Sequence, residues 1–180
     1  MVYLFLAEGF EIIEALAPVD MLKRAKIDVK TVGVTGKTVK SSANISVTAD
    51  ITVDEIDLDE NLEAVILPGG MPGTLNLENS QKVQEAIDFA TVNELLICAI
   101  CAAPSILGHK DLLIGKYATA FPGFEKDLTG AKASDEYVVT DGNIITAKGA
   151  GVSIDFGLEI VRYLRGDDTQ EEIRKTIQCK

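Results

Sequence analysis

The chain has 180 residues, with 17 Lys and Arg against 28 Asp and Glu, a net charge of −11 and a sequence pI near 4.5. Hydrophobic residues are 47% and charged residues 25%, the composition of a globular protein, and the length suits one domain over residues 1–180 that folds without disulfides or metal. The acidity, and the absence of any Lys/Arg cluster, weigh against nucleic acid and against an anionic membrane surface as partners.

The first ten residues, MVYLFLAEGF, lack a basic n-region and meet Glu8 early, so no signal peptide is expected and the cytoplasm is the default location. Residues 2–7 form an uninterrupted apolar run, the pattern of a strand buried on both faces. Residues 11–26 read as a helix with Ile12, Ile13, Leu16, Val19 and Leu22 on its apolar face, kinked or restarted near Ala17 because Pro18 clashes with the carbonyl of Glu14. Residues 29–34 alternate as a second strand, and the Thr- and Val-rich residues 37–53 suggest a hairpin at a sheet edge. A short buried strand over Ala64–Leu67 ends at Pro68-Gly69-Gly70, and Ser80 caps a helix over residues 81–90.

Residues 95–100, LLICAI, are another buried strand that runs directly into Cys101 and a helical segment ending at His109. The longest uncharged apolar run, residues 95–108, is too short for a bilayer and contains Pro104. Short strands follow at residues 118–120, 137–140 and Ile144–Ala147, the last two joined around Asp141-Gly142-Asn143. A turn at Gly149-Ala150-Gly151 precedes a helix opened by Ser153, with Ile154, Leu158, Val161 and Leu164 aligned, and a polar helix over residues 169–178 closes the chain. Strands alternating with helices predict a mostly parallel α/β sheet whose ligands sit at the carboxyl ends of the strands. The turns at Glu8-Gly9, Gly69-Gly70 and Cys101-Ala102 should therefore share one rim.

Cys101 is the leading candidate for chemistry. It lies where a strand meets a helix N-terminus, an elbow that exposes nucleophiles and lowers a thiol pKa; the competing reading is a buried structural cysteine. Cys98 and Cys101 have C-x-x-C spacing, but Cys98 falls inside the strand, so the two side chains should point to opposite faces and form no dithiol. Cys179 reads as exposed and incidental. With a single histidine, His109, no His-based metal cluster is available and no triad unless His109 serves in it; its context reads as surface or capping. Gly69 and Gly70 follow a buried strand and offer N–H groups for an oxyanion, or simply make a tight turn. Glu11 and Glu14 share a helix face, and Glu14, set among apolar residues just after the first strand, could be buried and stay protonated.

Four stretches in chain order, GFEIIE (9–14) with PVD (18–20), LPGG (67–70), AICAAP (99–104) and TAKGAG (146–151), resemble the DJ-1/ThiJ/PfpI superfamily over nearly the whole chain. Ala102 follows the cysteine where the PfpI protease branch has a His, so the DJ-1/ThiJ branch is the nearer likeness. The resemblance implies a flavodoxin-like three-layer sandwich, a homodimer and no cofactor or metal. It also implies Cys101 as the elbow nucleophile, Glu14 beside its sulfur, and Gly70 and Ala102 as oxyanion donors, with Phe121 and Glu11 at the pocket. Members with glyoxalase activity often carry a His in a Thr-His-Pro stretch; here ATAFP (118–122) puts Phe121 at that position. Phe121 either leaves a general base missing or makes the pocket narrower and more apolar. The implied functions are a cofactor-free glyoxalase or deglycase acting on a small carbonyl substrate, a cysteine-oxidation sensor or stress-response chaperone, and, more weakly, a peptidase or amidase or a thiazole monophosphate biosynthesis relative.

Overall fold

The computed structural model describes residues 1–179. Its core is a seven-stranded sheet in the order β10-β11-β7-β6-β1-β2-β5. The strands are β1 (Val2–Leu6), β2 (Val29–Gly33), β5 (Ile51–Thr52), β6 (Ala64–Leu67), β7 (Leu96–Ile100), β10 (Val138–Asp141) and β11 (Ile144–Ala147). All pairings are parallel except the β10–β11 hairpin at one edge. The central strands are buried throughout, which is why they read as continuous apolar runs. A small antiparallel hairpin, β3 (Thr38–Lys40) with β4 (Ser46–Thr48), is the expected edge excursion.

Helices cover both faces of the sheet and make a three-layer α/β sandwich. Alternate side chains of β1, β6, β7 and β11 point into two hydrophobic layers. One layer holds α1 (Ile12–Arg24), α5 (Ser153–Arg165) and Ile173 of α6 (Asp167–Thr176). The other holds α2 (Gly73–Glu78), α3 (Gln81–Val92) and α4 (Pro104–His109). Among the described residues, no helix is long and apolar enough to cross a membrane.

Several expectations are corrected. Helix α1 runs through Pro18 without a restart. Pro18 is buried against Gly157 of α5, where an added Cβ would meet the Pro18 Cα at 2.9 Å, so tertiary packing holds the helix across the missing donor. The buried stripe of α1 is Glu14, Ala15, Pro18, Val19, Met21 and Leu22, and it leaves Ile13 51% exposed. Ile154 is likewise outside the core face of α5, which buries Phe156, Gly157, Leu158, Ile160 and Val161. Helix α6 starts at Asp167 rather than two residues later. The strand expected at residues 118–120 is instead β8 (Tyr117–Ala118), paired with β9 (Lys132–Ala133) in a separate ribbon. Helix α2 was not expected, because the Gly and Pro residues that precede it read as loop.

Candidate active site

Strands β2 and β6 leave β1 on opposite sides, so the sheet order reverses between β1 and β6. Such a switch point opens a crevice at the carboxyl ends of the strands. The loops after β1, β6, β7 and β11 meet there. Loop contact is close: a Cβ on Gly70, at φ +91°, would lie 2.4 Å from the Glu11 nitrogen and 2.6 Å from the Gly9 oxygen. Only glycine permits both that backbone angle and that approach.

Cys101 sits one residue past β7 at φ +66°, a left-handed angle that is uncommon for a residue with a Cβ. Its backbone is tied on both sides. Its N–H donates to the Ala147 carbonyl at 2.8 Å, and its carbonyl accepts from the Phe121 N–H at 2.8 Å. This turn lifts the side chain out of the strand alternation. Cys98 and Cys101 therefore do not face opposite layers as expected; both pack on the α1–α5 side, and both are free thiols. Helix α4 behind the elbow has six residues, so the sulfur environment comes from individual N–H groups more than from an extended helix dipole.

Glu14 projects from the first turn of α1 into this crevice and is 1% exposed. Its carboxyl hydrogen-bonds Cys101 and accepts from the Ala150 backbone and from the Gly69 N–H, the last at 2.9 Å. Burial, reinforced by the Glu11 charge, outweighs these bonds and raises the Glu14 pKa to about 7. The fit is tight. A Cβ on Gly69 would stand 2.6 Å from the Cys101 Cβ and 2.7 Å from Glu14 Oε2.

Burial also pushes the Cys101 thiol up, and the Glu14 carboxylate and its hydrogen bond push it further, to about 12, against the pull of the Ala102 and Gly70 N–H groups. The lowered thiol pKa expected from the elbow is thus reversed. The value near 12 includes repulsion from a charged Glu14, so it belongs to the second proton of a coupled pair. From about pH 7 upward the two groups share one proton, as carboxylate with thiol or as carboxylic acid with thiolate. Carboxylate with thiol is the major form; the Gly70 and Ala102 N–H groups lower the cost of the thiolate without offsetting burial and the Glu14 charge.

The expected residues largely converge. Cys101, Glu14, Gly69, Gly70, Ala102 and Phe121 surround one crevice, but Gly69 uses its N–H to hold Glu14 and so is no oxyanion donor. Glu11 stands aside: its carboxylate accepts from the Ser42 hydroxyl at 3.0 Å, and it reaches the site only through its charge on Glu14. The TAKGAG stretch carries roles that its sequence did not assign. Ala147 anchors the elbow, Ala150 bonds Glu14, and Gly149 separates Glu14 from Phe121; a Cβ on Gly149 would be 3.2 Å from the Phe121 ring and 3.8 Å from Glu14 Oε1. Cys98 is fully buried, and burial with the Glu159 charge pushes its thiol far up. His109 lies outside the crevice, paired with Glu78 at 2.5 Å.

The sequence profile of the DJ-1/PfpI family matches residues 1–163. The Parkinson disease protein 7 homolog of Danio rerio is 33% identical over 179 residues, covering 97% of this chain and 95% of the relative. A DJ-1 superfamily protein of Salmonella typhimurium superposes with a TM-score of 0.92 at 34% identity, covering 98% of this chain and 97% of that one. Oxidized DJ-1 of Toxoplasma gondii gives 0.93 at 27% identity, with the same two coverages of 98% and 97%.

Proposed function

Because the chain belongs to the DJ-1/PfpI family, we propose that it is a cofactor-free cysteine enzyme that turns reactive 2-oxoaldehydes into 2-hydroxy acids, with Cys101 as nucleophile and Glu14 as proton carrier. The observation that carries this reading is the buried Glu14 carboxyl hydrogen-bonded to the Cys101 sulfur, which the Gly70 and Ala102 N–H groups also approach. In the carboxylic acid and thiolate form, the sulfur attacks the aldehyde carbon. The Gly70 and Ala102 N–H groups stabilise the charge developing on the aldehyde oxygen, which then takes the Glu14 proton. The product is a hemithioacetal, and Glu14 is now a carboxylate. It removes the proton from the former aldehyde carbon to give an enediolate and returns that proton to the neighbouring carbon, while the hydroxyl proton passes from the first oxygen to the second. A 2-hydroxyacyl thioester remains on Cys101. Water, deprotonated by Glu14, attacks it, the Cys101 thiolate leaves, and the 2-hydroxy acid is released with Glu14 again carrying the proton. No net oxidation occurs, because one carbon is oxidised as its neighbour is reduced.

Phe121 favours a second reading. It stands beside Glu14 across Gly149 and can neither give nor take a proton, so Glu14 serves every proton transfer alone. A slow enzyme with such a thiol is also a sensor: peroxide converts the thiolate through sulfenate to sulfinate, whose oxygens accept from Glu14 and the two N–H groups. The related Toxoplasma gondii protein has been solved in an oxidized form. We further propose a homodimer working in the cytoplasm.

Hydroxy-acid formation from methylglyoxal separates the readings. Turnover that vanishes in Cys101→Ser supports the enzyme. No turnover, with a gain of two oxygens on Cys101 under mild peroxide, supports the sensor and overturns the enzyme.

A further inference from the structure

Beyond Gly149 the site opens into a cleft of about 300 Å³ whose walls include Phe121, Pro122, Tyr137, Lys148 and Val152. Three observations connect it to the reacting atoms. The Phe121 N–H is bonded to the carbonyl of Cys101 itself. The Phe121 ring and Glu14 Oε1 both border the space a Gly149 side chain would fill, 3.2 Å and 3.8 Å from such a Cβ, so the missing side chain leaves the ring open toward Glu14. The ring is 48% exposed and Tyr137 is 66% exposed, two aromatic side chains largely open to water on the lining of this cleft. Lys148 is the charged group on the lining, and it is turned to other work: its ammonium donates to the Asp135 carbonyl at 2.7 Å and lies 5.2 Å from the Tyr137 ring centroid.

We propose that this cleft binds the substituent of the carbonyl substrate, that the substituent is an aryl or branched alkyl group, and that Phe121 is the residue that selects it. The inference rests on Cys101 being the nucleophile of the proposed function. A methyl group, as in methylglyoxal, leaves both rings wet. A phenyl group attached to the carbonyl carbon next to the aldehyde reaches past Gly149 and covers them, removing apolar surface from water on both partners. An anionic substituent gains little, since the Lys148 ammonium is already engaged by Asp135 and Tyr137.

The test uses thiol capture, which does not require turnover. Second-order rates of Cys101 alkylation by 2-bromoacetophenone and by bromoacetone are measured, and their ratio is divided by the same ratio for free cysteine. The wild type should favour the aryl reagent by about tenfold after this correction. Phe121→Ala should bring the corrected ratio close to one, and Tyr137→Ala should lower it independently. A corrected ratio of one in the wild type, or one that Phe121→Ala leaves unchanged, overturns the proposal. Failure of the proposed function shows separately, as an absence of hydroxy acid from methylglyoxal and from phenylglyoxal while the alkylation ratio stays high.

Discussion

Burial raises Glu14 to about 7, and burial with the Glu14 charge raises Cys101 to about 12, so the two groups are expected to titrate as a coupled pair. The thiolate form is a fixed share of the singly protonated pair, so alkylation of Cys101 should step up near pH 7 and then stay level well into the alkaline range. Glu14→Gln removes the shared proton and should abolish the neutral step, leaving one alkaline titration. It should lie below about 12, because the repelling carboxylate is gone. Peptide-mapped alkylation across pH checks this, and a step retained near pH 7 would contradict the shared proton. The same burial affects stability. The folded pKa of Glu14 is raised from 4.5 to about 7, so its contribution to stability is intact below pH 4.5 and is lost as pH rises through 7. A difference of about 2.5 in pKa corresponds to about 3 kcal/mol. Urea unfolding should therefore show Glu14→Gln gaining on the wild type by up to about 3 kcal/mol between pH 4.5 and 8. At Gly69, substitution by Ala should part the pair, since the new Cβ overlaps both the Cys101 Cβ and Glu14 Oε2. It should cost about 1–3 kcal/mol and suppress neutral alkylation. The Cys101 elbow, the apolar setting of Glu14 and the Gly69-Gly70 turn were legible as local signals, whereas Glu14 beside the sulfur and Gly70 as a donor followed only from the family resemblance. The direction of the Cys101 pKa was not legible, since it depends on the charge of a residue 87 positions away in the chain.

Helices α1 and α5 show how packing between elements overrides local pattern. A glycine inside a helix usually weakens it, and replacing it by Ala normally stabilises by about 0.5–1 kcal/mol. Gly157 should behave in the opposite sense. An added Cβ would lie 2.9 Å from the Pro18 Cα and 2.9 Å from the Met21 Cγ, so Gly157→Ala pushes α5 away from α1. A loss of about 1–3 kcal/mol in chemical denaturation is expected, and a gain would mean that the helices separate at little cost. The displacement should also reach Glu14, which sits on α1 one turn before Pro18, and show as altered Cys101 alkylation. Pro18 signalled a break in the sequence, yet its buried place against α5 keeps α1 continuous. Ile13 and Ile154 met the apolar pattern of their helices and still fall outside the core, because the width of a buried stripe depends on how many neighbours a helix has.

For the whole molecule, the sandwich leaves apolar side chains uncovered at one end of α1. Ile13 is 51% exposed, and Ile45 in the β3–β4 turn is 50% exposed. The hairpin is held against the start of α1 by the Phe10–Ser41 bridge and by the Ser42 hydroxyl on Glu11. In the proposed homodimer a second copy covers this face, so light scattering should give about twice 19.3 kDa, and Ile13→Asp should bring the mass toward one chain. A wild-type mass of one chain would reject the dimer. The sequence by itself determined the α/β sandwich, the identity of the elbow and the rim on which the site forms. Burial of whole strands, glycine turns and helix caps are written in neighbouring residues, and a parallel sheet leaves few ways to arrange them. The tertiary structure alone decided the rest: the shared proton, the reassignment of the Gly69 N–H, the part played by Ala147 to Ala150, and the aromatic cleft beyond Gly149. Each arises from groups far apart in the chain meeting at a few ångströms, where desolvation and charge act through space and leave no periodic trace in the sequence.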